Sequence, residues 1–183
     1  MDYYIEITLL PDPEFPVTLL MNSLYSKLHK ALYDLNSTSI GISFPNYNRT
    51  LGNVLRLHGT MHDLENLITR KWIGAMTGYC KISEVNSIPE KVQYRSIYRK
   101  QATMSHAKVR RLIKRGSISE KDIGNYTKKM SNRTLNHPYI ELVSASNGNK
   151  HRRYIEFGPF TDKPISGSFD MFGLSKKATI PWF

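Results

Sequence analysis

The chain has 183 residues, 40% of them apolar, so it suits one large or two small domains with a real core and excludes global disorder. No apolar run reaches the ~18 residues of a membrane helix, and the N-terminal residues lack the basic-then-apolar pattern of a signal peptide; the single cysteine, Cys80, excludes an internal disulfide and argues against a cysteine zinc site. The net charge is +11: residues 1–90 hold 7 Lys+Arg against 9 Asp+Glu, and residues 91–183 hold 19 against 6, the imbalance of a chain whose second half meets a polyanion.

Residues 2–9 alternate polar and apolar and read as a strand. Pro11, Pro13 and Pro16 break it. Leu20, Leu24, Leu28, Ala31, Leu32 and Leu35 form a helical stripe from Pro16 to Leu35. Ile40–Phe44 is a short strand and 46–50 a turn. In Leu51–His58 the alternation sets Val54, Arg56 and His58 on one face and Leu55 and Leu57 on the other. Thr60 caps a second helix with Met61, Leu64, Leu67 and Ile68 on its buried side. Gly78–Val85 closes the unit as a strand. The order is βαββαβ, the ferredoxin-like plan. The RNA recognition motif shares it, but no RNP1 sequence is present.

Residues 86–93 read as a connector, and 94–101 as extended. A basic helix runs from Ser105 to Arg115 and stops at Gly116. Ser119 opens another short helix. Strands near 139–143 and 152–157 flank a hairpin turn at 146–149, and the tail from Gly167 is short strands and turns. The fold class is α+β: a ferredoxin-like domain over 1–90, then a smaller basic domain over 91–183 with an arginine-rich helix.

Lys108, Arg111 and Arg115 share one face of that helix, flanked by Arg110 and Lys114, while Val109, Leu112 and Ile113 supply its buried side. Such a stripe suits a phosphate backbone. Arg99 and Gln101, two apart on a strand, share a side and could read adjacent guanine and adenine bases. The six histidines show no metal-binding spacing, so no metal or cofactor is expected. His29 lies one step off the Leu24/Leu28/Leu32 stripe, between Lys27 and Lys30. An imidazole there is either an ordinary surface group or a base for a ribose 2′-OH. Ser144 ends the first strand of the late hairpin, followed by Ser146, Asn147 and Asn149; turn chemistry and contact with a ribose are both open.

The opening MDYYIEITLLPDPEFP, the segment KLHKAL around His29, IGISFP, YRKQA around Arg99 and Gln101, the basic helix and the closing GLSKKATIPWF resemble the type I-F CRISPR repeat endoribonucleases. The similarity is collinear from residue 1 to residue 183. It implies a ferredoxin-like domain followed by a basic one. It also implies metal-free cutting of each CRISPR repeat at the 3′ base of a short hairpin, with attack by a 2′-OH that leaves a 2′,3′-cyclic phosphate. On the matching positions, His29 would be general base or proton shuttle and Ser144 would orient the ribose. Arg99 and Gln101 would read bases, and Arg111, Lys114 and Arg115 would lie against the hairpin, with Lys108 beside them on the helix's cationic face. Ser146, His151 and Phe172 complete the implied RNA contacts. Three positions depart from the family. Phe172 stands where it has an active-site tyrosine, His151 where it has a stacking phenylalanine, and Lys114 where it has a helix arginine. The implied partners are the repeat hairpin and the other subunits of the type I-F surveillance complex, with no membrane. Three other readings stand beside this one: a hairpin-binding subunit that does not cut, which Phe172 permits; a duplex-DNA binder, against which the missing helix-turn-helix pattern counts; and a basic ribosomal protein or general RNA chaperone.

Overall fold

Period-two alternation at the start of the chain becomes a strand with Ile5, Ile7 and Leu9 at most 2% exposed and the residues between them half-buried. The computed structural model describes residues 1–101, 106–117, 122, 124, 136–143 and 148–183, with backbone alone for 106–108. Residues 1–99 with 137–183 form one compact unit and 100–136 a second.

In the larger unit the elements run β1 (Tyr3–Leu9), α1 (Val17–Asp34), β2 (Gly41–Ser43), β3 (Val54–Gly59), α2 (Met61–Thr69), a 3-10 helix (Gly74–Tyr79), β4 (Cys80–Ile82) and β5 (Asn86–Ser87). Four of these strands make an antiparallel sheet in the order β2-β3-β1-β4, and β5 also pairs with β1. The segment expected as a plain connector thus contributes a two-residue strand. The later strands, β6 (Gln93–Lys100), β7 (Tyr139–Val143), β8 (Lys150–Thr161) and β9 (Ser175–Trp182), form a second sheet in the order β7-β8-β6-β9. The β6–β9 and β7–β8 pairs are antiparallel. The class is α+β, as the sequence indicated. Among the described residues no helix is long and apolar enough to cross a membrane.

Helix α1 buries Leu20, Leu24, Leu28, Ala31 and Leu32, and also Met21 and Tyr25, one step around the helix from the expected stripe. Each fully buried large apolar side chain contributes ~1.5–3 kcal/mol, so this face anchors the helix. Its C-terminus closes with Asn36 at φ 50, where the Asn36 N–H bonds the Tyr33 carbonyl and the Ser37 N–H bonds the Leu32 carbonyl. That is a Schellman motif with Asn in the glycine position. Thr60 caps α2 as expected, accepting the Asp63 N–H. Leu64 and Leu67 are buried, but Met61 is 41% exposed. At the first turn of the helix it falls outside the packed face.

The expected two-faced strand is covered on both sides, since all six residues of β3 are buried. Arg56 forks onto Glu6 Oε2 at 3.1 and 2.7 Å and donates to the Phe183 oxygen at 2.7 Å. His58 bonds Ser43 Oγ at 2.8 Å, and its pKa falls to about 3, chiefly because burial penalises the charged ring and then because Arg56 repels it.

In the smaller unit α3 (His106–Lys114) ends as the sequence indicated. Gly116 has φ +69, its N–H bonds the Ile113 carbonyl, and the Ser117 N–H bonds the Leu112 carbonyl. Only a residue tolerant of the left-handed region completes this cap cheaply. The short helix expected from Ser119 and the turn at 146–149 fall largely outside the described residues.

Candidate active site

Helix α1 places His29 half-buried, one residue past the fully buried Leu28. The loop before β9 meets it there. Asp170 organises that loop, its Oδ1 accepting the N–H groups of Phe172 and Leu174, each at 2.9 Å. Gly173 sits at φ +70, and a Cβ on it would lie 2.6 Å from Ile42 Cγ2. Both the backbone angle and the close approach to β2 therefore require glycine. The Tyr25 hydroxyl donates to the Phe172 carbonyl at 3.0 Å. Burial pushes that phenol well above its usual range, so it remains a donor.

The loop fixes the imidazole in two ways. Nδ1 lies 2.8 Å from the Met171 carbonyl oxygen. A carbonyl can only accept, so Nδ1 carries the proton and Nε2 keeps its lone pair in the neutral ring. The Phe172 ring stacks on the imidazole at 3.5 Å and 14°. The Arg153 guanidinium lies 3.4 Å from the same ring's centroid. Both cannot occupy one face, so Phe172 is sandwiched between His29 and Arg153. Arg153 is 8% exposed and its Nε has no hydrogen-bond partner. Burial lowers its pKa, and the nearby charge of Arg99 lowers it further, against the opposing effect of Tyr25 and Asp170.

Arg99 is exposed near the end of β6. With Tyr98, Ser168, Asp170, Ser175 and Lys176 it lines a depression of about 430 Å³. The larger unit thus holds His29, Phe172 and Arg99 together. His151 is exposed on β8, opposite Leu142 of β7. Gln101 lies one residue past β6 and in the other unit from Arg99. Arg111, Lys114 and Arg115 are exposed at the C-terminal end of α3, where Val109 is buried and Leu112 and Ile113 are partly so. The Lys108 side chain, Ser144 and Ser146 lie outside the described residues.

Arg153 and Tyr25 are among the residues of this cluster that the sequence reading missed. Each had a signal. Arg153 lies two before Ile155, which is fully buried, so strand alternation puts it on the packed face. Tyr25 follows Leu24 and stands four after Met21, which widens the buried stripe.

The site thus holds a half-buried histidine fixed by a backbone carbonyl, on an α+β scaffold with +11 net charge. The sequence profile of the family described as CRISPR-associated protein (Cas_Csy4) matches residues 4–183. The chain belongs to that family, as its resemblance to the type I-F repeat endoribonucleases implied. It is 35% identical over 184 residues to the CRISPR-associated endonuclease Cas6/Csy4 of Escherichia coli (strain UTI89 / UPEC), with both chains covered in full. It is 36% identical over 187 residues to the CRISPR-associated endonuclease Cas6/Csy4 of Pseudomonas aeruginosa (strain UCBPP-PA14), again over the whole of both.

Proposed function

We propose that this chain is an endoribonuclease that binds the hairpin of a CRISPR repeat and cuts at its 3′ base without a metal ion. The observation that carries this reading is the state of His29, with its Nδ1–H committed to the Met171 carbonyl and its ring plane set by Phe172. Nε2 takes the proton of a ribose 2′-OH. The 2′ oxygen attacks the adjacent phosphorus, the bond to the 5′ oxygen breaks, and that oxygen takes up a proton from the His29 imidazolium or from water as it leaves. The products are a 2′,3′-cyclic phosphate and a 5′-hydroxyl. Ser144 orients the ribose, and Arg99 and Gln101 read bases. Ser146 and His151 add RNA contacts, and Phe172 lies against the bound strand. The cations of α3, Lys108, Arg111, Lys114 and Arg115, grip the hairpin.

The same proposal takes in the finer architecture. The order β2-β3-β1-β4 with helices after β1 and β3 supports a ferredoxin-like arrangement of residues 1–90. Residues 91–183 form the basic RNA-binding half. The product hairpin stays bound, in the cytoplasm, within the RNA-guided surveillance complex. Phe172 favours one second reading, a hairpin-binding subunit that does not cut, because its ring offers no hydroxyl.

The experiment is cleavage of the cognate repeat hairpin in EDTA, beside a copy carrying one 2′-deoxy nucleotide at the cut. Cutting of the first and not the second is the expected result. Tight binding with neither RNA cut would establish the second reading, and Phe172→Tyr would then be the variant to restore activity.

A further inference from the structure

Three arginines are buried among the described residues: Arg56, Arg95 and Arg153. Two have committed nitrogens. Arg56 is held by Glu6 and the Phe183 oxygen. Arg95 donates to the Gly158 carbonyl and the Tyr47 hydroxyl, each at 3.1 Å, inside a cage of Tyr47, Phe157, Phe160 and Trp182. Arg153 differs. Its Nε is unpartnered, Asp170 and Tyr25 act on it electrostatically without an ion pair among the described residues, and it lies on the face of Phe172. A buried guanidinium left this way is costly unless an anion arrives to use it.

Its position says which anion. On opposite faces of one ring, the guanidinium and the imidazole are roughly 7 Å apart, the two stacking distances together. A 2′-OH meets the imidazole nitrogen at about 3 Å, and the phosphorus under attack lies about 3 Å further on. A phosphate reaching over the edge of the Phe172 ring from the imidazole side would bring a non-bridging oxygen to Arg153. Charge develops there as the 2′ oxygen adds, and a fixed, water-poor cation stabilises that charge more than it stabilises the bound substrate.

We infer that Arg153 is a phosphate-contacting residue of the His29 site, holding the non-bridging oxygens of the scissile phosphodiester. This rests on His29 being the base. Phe172 is then a spacer, setting the distance between the group that takes the proton and the group that receives the negative charge. Arg99, exposed nearby, serves the bound strand outside this centre.

The test compares the native chain, His29→Ala, Arg153→Leu and Arg153→Lys on the cognate repeat hairpin, measuring single-turnover cleavage in EDTA and affinity for the 2′-deoxy hairpin. For Arg153→Leu we expect cleavage at least about 100-fold slower, with affinity within about threefold of native. Arg153→Lys keeps the charge without the fork and should recover about tenfold or more over the leucine variant. Cleavage by Arg153→Leu within about threefold of native would overturn the inference alone. So would leucine and lysine variants equally impaired, or affinity lost in step with rate, since packing or general phosphate binding would then explain the residue. If the native chain fails to cut, or His29→Ala cuts as fast as native, the assignment of the site falls and this inference with it.

Discussion

At the scale of single residues, His29 carries the reading. Its ring is restrained by one hydrogen bond and one stacking contact, both from the 170–174 loop. Neither restraint needs RNA, so the proposed base would be set before substrate arrives, which is where positioned general bases gain most of their effect. Removing the imidazole should cost chemistry and leave binding. His29→Ala is expected to slow single-turnover cleavage by about 10²–10⁴-fold, with the hairpin dissociation constant nearly unchanged. A variant that cuts at the native rate would remove His29 from the mechanism.

Among the elements, α3 holds the concentrated cations. It is anchored by Val109 and stopped by the Gly116 motif, and Arg110, Arg111, Lys114 and Arg115 are exposed. A helix presenting charge in this way suits backbone phosphates, whose binding would release counterions. Arg111→Ala combined with Arg115→Ala should weaken hairpin binding and make log Kd about two units less steep against log salt concentration. Affinity measured across a salt series decides it. Unchanged affinity and slope would take this helix out of the interface.

At the scale of the whole molecule, stability depends on a polar seam in the first sheet. His58 is fully buried, bonded to Ser43, with its pKa lowered to about 3. In the unfolded chain a histidine titrates near 6.5. Between these values the unfolded state holds a proton that the folded state excludes. This histidine's contribution is therefore undisturbed above about pH 6.5 and falls by up to ~1.4 kcal/mol per pH unit below it, down to about pH 3. Urea unfolding at pH 7.0 and at pH 5.5 should show this loss in the native chain. His58→Leu should lower stability at both pH values and flatten the difference between them. An equal slope in both proteins would assign the pH dependence elsewhere.

The sequence by itself determined the local elements and the family. Period-two and helical spacing located β1, α1, β3, α2 and α3, because burial of one face imposes those periods on the chain. The caps at Thr60 and Gly116 were legible because each needs a particular side chain, or none. His29 and Phe172 were legible through the resemblance, each from a different end of the sequence. Their meeting was not. Only the tertiary structure decided that a loop 142 residues away supplies the carbonyl that sets the histidine's tautomer. It also decided that Arg56, Arg95 and Arg153 lie inside. Composition counts a cation as surface, because an isolated charge is costly to bury. That cost is met by partners distant in sequence: Glu6 and Phe183 for Arg56, and Gly158 with an aromatic cage for Arg95. For Arg153 the chain supplies one aromatic face and the nearby Tyr25 and Asp170, and the RNA phosphate is its proposed further partner.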